Sequence, residues 1–244
     1  MSDRAGNDAR ASAQQRLPVL MIVHQQQSSP GNVGNWFRAN GFPLDIRRPR
    51  FGDPLPETLE AHTGAVIFGG PQSANDLDDF IRREIDWIGV PLSEEKPFLG
   101  ICLGAQMLAL HLGGEVASHP LGFAEMGYYP IRPTGEGARL LDWPDQVYQW
   151  HREGFSLPEC AELLAEGGKF RRQAFRHGSA YGLQFHPEIT QTVMTRWVTQ
   201  AGYRLVLPGA KPGPTHLRDH LRLGPPQQRW LGEFLSIWAS APAG

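Results

Sequence analysis

Gly100-Ile101-Cys102-Leu103-Gly104 constrains the local fold more than any other stretch of this 244-residue chain. It follows the short apolar run Pro97–Leu99 and opens the amphipathic run Leu103–Leu112. That order predicts a strand, a sharp turn at Cys102 and a helix with almost nothing between them. A reactive side chain on such a turn, flanked by glycines, is a nucleophile elbow. The glycines allow the tight turn and keep side chains away from the sulfur. The helix N-terminus behind Cys102 offers unpaired N–H groups and a positive dipole end, both of which favour thiolate over thiol. A lone cysteine, however, is usually a small buried hydrophobe. With 28 Gly and two Cys, the pattern arises by chance roughly 0.03 times per chain. A second signal is needed.

The rest of the first half reads as alternating strand and helix. Leu17–His24 is nearly continuously apolar, as expected of a strand buried on both faces. Asn35–Asn40 predicts a short helix stopped by Gly41, Leu44–Arg47 a second strand, and Ala65–Phe68 a third that ends at Gly69-Gly70-Pro71. Phe80, Ile81, Ile85 and Ile88 fall at helical spacing, with Asp76 and Asp78 placed to cap the start. The strand Pro97–Ile101 and the helix Leu103–Leu112 follow, the latter closed by Gly113-Gly114. Such alternation argues for a parallel α/β sheet. Beyond Gly114 short extended pieces take over: Tyr128–Arg132, Gln146–Trp150, Leu163–Ala165, Gln173–Arg176 and Tyr181–Phe185. Val193, Met194, Trp197, Val198 and Ala201 mark a helix. A Pro/Gly-rich connection, Pro208–Pro214, leads to a final helix near Gln227–Ser240 with Trp230, Leu231, Phe234, Leu235 and Trp238 on one face. Met1–Arg16 is polar and is expected to be a disordered tail, with 17–244 forming one domain that includes a C-terminal helical extension.

Open α/β sheets bind ligands at the carboxyl ends of their strands. Three stretches end strands with unusual chemistry: Gly69-Gly70-Pro71, the Cys102 elbow and Gln184-Phe185-His186-Pro187-Glu188. A thiol nucleophile needs a base, which His186 supplies, and the base needs a third group to fix its tautomer. In extended backbone His186 and Glu188 point to the same side, so Glu188 is expected to hydrogen-bond the far ring nitrogen. Leu103 N–H, at the start of a helix, and Gly70 N–H are the natural donors for an anionic tetrahedral intermediate. The order Cys, His, Glu differs from the α/β-hydrolase order of nucleophile, acid, His.

GICLGAQ (100–106), GGPQSA (69–74) and LQFHPE (183–188) together resemble the three signatures of class I, triad-type glutamine amidotransferases, most closely stand-alone proteins similar to the amidotransferase domain of GMP synthase. The likeness runs from about Val19 to Trp197. It implies a flavodoxin-like open, mostly parallel sheet with helices on both faces and additional β pieces in the second half. It also implies Cys102 as nucleophile, His186 as base, Glu188 as its partner, and Gly70 and Leu103 as the oxyanion hole. Gln106, on the helix face of Cys102, matches a family glutamine. Gly69 and the segment Gln149-Trp150-His151-Arg152-Glu153 fall where relatives hold the substrate, the latter as a loop around its α-amino and α-carboxylate groups. Where relatives have Ser-His-Gly-Asp, this chain has Trp150-His151-Arg152-Glu153; His151 is either a substrate-loop residue or a half-buried structural histidine. The implied reaction is hydrolysis of the glutamine carboxamide through a γ-glutamyl thioester, releasing ammonia and glutamate, with no metal or organic cofactor. Nothing in the sequence matches the ATP-pyrophosphatase loop of GMP synthase, so a separate synthetase subunit is the expected partner for nitrogen transfer. The same triad would serve a γ-glutamyl peptidase acting on larger γ-glutamyl amides; a binding scaffold is the non-enzymatic alternative.

Other features narrow the class further. A net charge of −2 gives no pull toward nucleic acid or anionic lipid. No window approaches a membrane span, and two distant cysteines suit a reducing, cytoplasmic compartment. A homo-oligomer is compatible with the sequence. His216 and His220 have the i, i+4 spacing of zinc ligands, but with no third ligand they read as a solvated helix face. Trp230 and Trp238 read as packing anchors.

Overall fold

The computed structural model describes residues 16–240. The expected tail lies outside the described residues except for Arg16, whose guanidinium sits 4.4 Å from the centre of the Phe42 ring; residues 241–244 lie outside them too. The first half runs β1 (Val19–Ile22), α1 (Gly31–Ala39), β2 (Leu44–Arg47), β3 (Gly64–Ile67), α2 (Asp79–Trp87), α3 (Gly89–Ser93), β4 (Phe98–Ile101) and α4 (Leu103–His111). The second half runs β5 (Val116–Ser118), β6 (Glu125–Pro133), α5 (Gly135–Leu140), β7 (Gln146–His151), β8 (Glu153–Phe155), β9 (Glu162–Gly167), β10 (Arg172–His177), β11 (Ala180–Leu183), α6 (Gln191–Gln200) and α7 (Gly213–Ser240).

The strands order as β2-β1-β3-β4-β11-β10-β9-β6-β7 in one sheet, with β5 and β8 paired apart from it. From β2 to β11 neighbours are parallel, and from β11 to β7 they are antiparallel. The parallel part thus combines β1–β4 of the first half with β11 of the second, and β10, β9, β6 and β7 extend one side.

β1 shows why its segment is apolar throughout. Val19, Met21 and Val23 join a core with Val33 and Phe37 of α1 and Trp230, Phe234 and Trp238 of α7. Leu20 and Ile22 join the opposite core with Phe80 and Ile81 of α2 and Met107 and Leu108 of α4. Alternate side chains face opposite sides of a strand, so a sheet covered on both faces has no polar register. A third cluster, Tyr128, Tyr148, Ile189, Met194 and Leu223, ties β6 and β7 to α6 and α7.

Several expectations are corrected. α4 is not amphipathic: Leu103 through Ala109 are all buried, because the helix is enclosed by the sheet, α2 and β8. Asp78 stands at the N-cap of α2 without a side-chain capping bond, and Asp76 instead accepts from Ser73 N–H at 2.9 Å, closing the preceding loop. α7 starts at Gly213 and runs through Pro225 and Pro226. Each proline costs the helix a backbone donor, but buried His216, Leu223 and Gln227 anchor this part on β6 and β7, and packing overrides propensity. His216 is accordingly no solvated face.

Candidate functional site

β1, β3, β4 and β11 are parallel neighbours, so their carboxyl ends share one rim of the sheet. His24, Gly69-Gly70, Cys102 and Gln184–Glu188 follow those four ends. Cys102 has φ 51° and ψ −102°, a positive φ that costs an L-residue of order 1–3 kcal/mol and persists only where the surroundings enforce it. Leu183 O accepts from Cys102 N–H at 2.7 Å. Both elbow glycines are required by close packing. A Cβ on Gly100 would stand 2.7 Å from Ala105 N, and one on Gly104 would stand 2.8 Å from Ile67 C. Gly69 is the meeting point of the site, since a Cβ there would lie 2.8 Å from His186 Cε1 and 3.4 Å from Cys102 Cβ.

His186 and Glu188 meet, though not on extended backbone. β11 ends at Leu183, and Pro187 and Glu188 form a turn. Across it, His186 Nδ1–H donates to Glu188 Oε1 at 2.8 Å, which fixes the tautomer and leaves Nε2 buried without a hydrogen-bond partner among the described residues. Burial opposes a charge on this ring. The Glu188 carboxylate, and after it the Cys102 sulfur, outweigh that and push the His186 pKa up to about 10. The backbone of His186 is held like an added strand residue: its N–H donates to Tyr148 O at 2.8 Å, while Gln227 of α7 accepts from Tyr148 N–H at 2.7 Å and donates to His186 O at 3.1 Å. The Trp197 ring stands edge-on to the imidazole, 4.9 Å between centres.

Behind Cys102 lies a layer of buried amides. Gln184 Nε2 is 3.8 Å from the Cys102 sulfur, and Gln106 Nε2 donates to Gln184 Oε1 at 3.3 Å and to Glu153 O at 3.0 Å. The segment expected as a substrate loop is instead the end of β7 and the start of β8. His151 is buried: its Nδ1–H donates to Glu153 O at 2.9 Å, and its Nε2 lies 3.4 Å from Glu125 Oε2 without a well-aligned bond. A cavity of about 260 Å³ opens beside these groups, lined by Gly69, Gly70, Trp150, His186, Glu188 and Trp197. Gln106, His151 and Glu153 do not reach it. Leu103 opens α4, where a helix leaves its first N–H groups unpaired.

Sequence reasoning missed the pair behind Gly69. His24 Nδ1–H donates to Gly69 O at 3.2 Å and His24 Nε2 is 2.8 Å from Glu84 Oε2, both side chains fully buried. The signal was available: Glu84 sits four residues after Phe80 and three after Ile81, on the apolar stripe of α2, where a carboxylate needs a partner.

A strand-end cysteine, a carboxylate-bonded histidine and an elbow required by glycine contacts define a class, and residues 27–204 match the profile of that class: the chain belongs to the class-I glutamine amidotransferase family. It is 31% identical over 185 residues to the glutamine amidotransferase-like protein YfeJ of Salmonella typhimurium, covering 71% of this chain and 77% of the relative. It is also 33% identical over 149 residues to a glutamine-hydrolyzing GMP synthase of Caldicellulosiruptor saccharolyticus, covering 58% of this chain but only 28% of that enzyme. The fold matches the crystal structure of a glutamine amidotransferase from Thermotoga maritima with a TM-score of 0.84 and 29% identity, over 93% of this chain and 99% of that one. The family acts on the glutamine side-chain amide. Among the described residues no helix is long and apolar enough to cross a membrane.

Proposed function

We propose that this protein hydrolyses the glutamine carboxamide by acyl transfer to Cys102. The observation that carries the reading is His186, whose Nδ1 is committed to Glu188 at 2.8 Å, whose Nε2 is buried with no hydrogen-bond partner among the described residues, and whose Cε1 meets Cys102 Cβ at Gly69. The sulfur attacks the carboxamide carbon and forms a C–S bond. The oxygen's developing charge is met by Gly70 and Leu103 N–H. The C–N bond then breaks, and ammonia leaves with the proton from His186. Water attacks the γ-glutamyl thioester, His186 takes its proton, and glutamate departs as the thiol is restored. Gly69 and Trp150 contact the substrate; Gln106, His151 and Glu153 brace the elbow and β8 from behind. The ammonia passes to a separate synthetase subunit or to solvent.

A second reading, cleavage of larger γ-glutamyl amides, is favoured by one observation: the cavity beside His186 continues past Gly69 and Trp150 to Arg196 and Arg204. Purified protein should release ammonia and glutamate in equal amounts from glutamine, or glutamate and an amine from a γ-glutamyl amide. Silence on every such substrate, from folded protein, contradicts both readings.

A further inference from the structure

The cavity of about 260 Å³ includes the His186 ring and the Gly69-Gly70 backbone in its walls but not Cys102, Leu103, Gln106 or His151. It therefore meets the site from the side of the imidazole. In acyl transfer the imidazole protonates the departing amine, so the space beside that ring receives the leaving group. One wall is apolar, made by Trp150 and Trp197 with ring centres 5.6 Å apart. Another carries two cations: Arg196 on α6, and Arg204 in the 3-10 turn Gly202–Val206 that follows.

Both arginines are half-buried, and neither is paired with a carboxylate among the described residues. Each is steadied through part of its guanidinium only. Arg196 Nη1 donates to Gln27 O at 3.0 Å, and Arg204 Nε to the Tyr203 hydroxyl at 3.3 Å. A guanidinium has five N–H donors in a rigid fork suited to carboxylates, so most remain for a ligand. Glu188, the carboxylate that also lines the cavity, is turned to His186.

We propose that this cavity is a leaving-group subsite for a γ-glutamyl amide whose amine carries a carboxylate, that is, a γ-glutamyl peptide with a free C-terminus. Arg196 and Arg204 hold the terminal carboxylate, and Trp150 and Trp197 cover the adjoining side chain. This rests on the acyl-transfer reading above and names its substrate class. The Cys102 sulfur bonds to the carbonyl carbon of the γ-carboxamide, the amide C–N bond breaks, and the amino acid leaves with the proton from His186. Water then hydrolyses the thioester.

The test compares kcat/KM of the full chain on γ-glutamyl-alanine and on the same dipeptide with its C-terminus amidated. The natural protein should prefer the free carboxylate by roughly tenfold or more, the size of one charge-assisted hydrogen bond. In the double variant Arg196→Ala/Arg204→Ala that ratio should fall to about one, mainly through KM. If the double variant does not fold, the single changes Arg196→Gln and Arg204→Gln should each lower it. Equal rates on the two dipeptides, or a ratio unmoved by the substitutions, overturns the subsite and leaves acyl transfer standing. Failure of any γ-glutamyl compound to acylate Cys102 overturns acyl transfer itself, and the subsite with it.

Discussion

Replacing Gln227 by Met should damage both the stability and the activity of this protein, although Gln227 is far from the reacting atoms in sequence and touches no substrate. The side chain is buried, at 2% exposure, and bridges two backbone groups: Tyr148 N–H at 2.7 Å and His186 O at 3.1 Å. Met has a similar volume and no polar atom, so the change removes the bridge without opening a cavity. Tyr148 N–H then loses its partner, at a cost of about 1–3 kcal/mol for a buried donor. His186 O keeps only the longer bond from Ile189 N–H, 3.4 Å, and loses about 1 kcal/mol more. The sum, about 2–4 kcal/mol, is a large part of an ordinary domain's stability. Urea unfolding followed by tryptophan fluorescence measures it. The bridge also fixes the register of His186 on β7, and a shift of its ring by about 1 Å is worth roughly a hundredfold in turnover. A Gln227→Met protein with stability within about 0.5 kcal/mol of the natural one and unchanged kcat refutes the idea that α7 positions the imidazole.

Three further outcomes are expected. Gly104→Ala should destabilise by about 3 kcal/mol or prevent folding, because its Cβ meets the Ile67 main chain, which has no free rotamer to yield; thermal unfolding checks this. Cys102→Gly should be more stable than Cys102→Ala by about 1–2 kcal/mol, since glycine alone accepts the positive φ without strain, while both are inactive; paired denaturation curves decide it. Stability should fall on both sides of neutrality for opposite reasons. The raised His186 contributes stability that is complete below about pH 6.5 and lost as pH climbs toward 10. Burial instead lowers His216, between the Tyr148 hydroxyl and Lys211 O, and His220 beside Tyr128, so their contribution is present above about pH 6.5 and lost below it. Glu188→Gln should flatten the alkaline limb and His216→Phe the acidic one in unfolding curves taken from pH 5 to 10; limbs that do not respond contradict the assignment.

The parallel half of the fold was legible because its rules are local. Continuous apolar runs such as Leu17–His24, glycine stops and the elbow at Cys102 need only neighbours in sequence to be read. The small pieces β5, β8 and α5 were not legible. They are held by contacts across the chain, as where Ser118 faces Glu153 and the Thr134 hydroxyl at the start of α5 donates to Leu163 O at 2.6 Å. The start of α7 is not legible in the sequence because Pro225-Pro226 argues locally against a helix that burial of Leu223 and Gln227 maintains. The reacting residue types were visible in the sequence, and so was the i, i+2 meeting of His186 with Glu188. The supports were less so. His24 with Glu84, Gln184 against the sulfur, and Gln227 under His186 each lie dozens of residues from their partners. Arg196 and Arg204 carry no motif, and only the cavity gives them a meaning.

The most direct measurement is intact-mass spectrometry of the protein after exposure to glutamine, γ-glutamyl peptides and a glutamine-mimicking electrophile such as a diazo-oxo-norleucine. Cys102 is buried and Cys160 is exposed, so the two free cysteines control for each other. One adduct is expected, mapped to Cys102, lost in Cys102→Ala and slowed severely in His186→Ala. An unmodified Cys102 in folded protein, or labelling that follows exposure and falls on Cys160 alone, would contradict it.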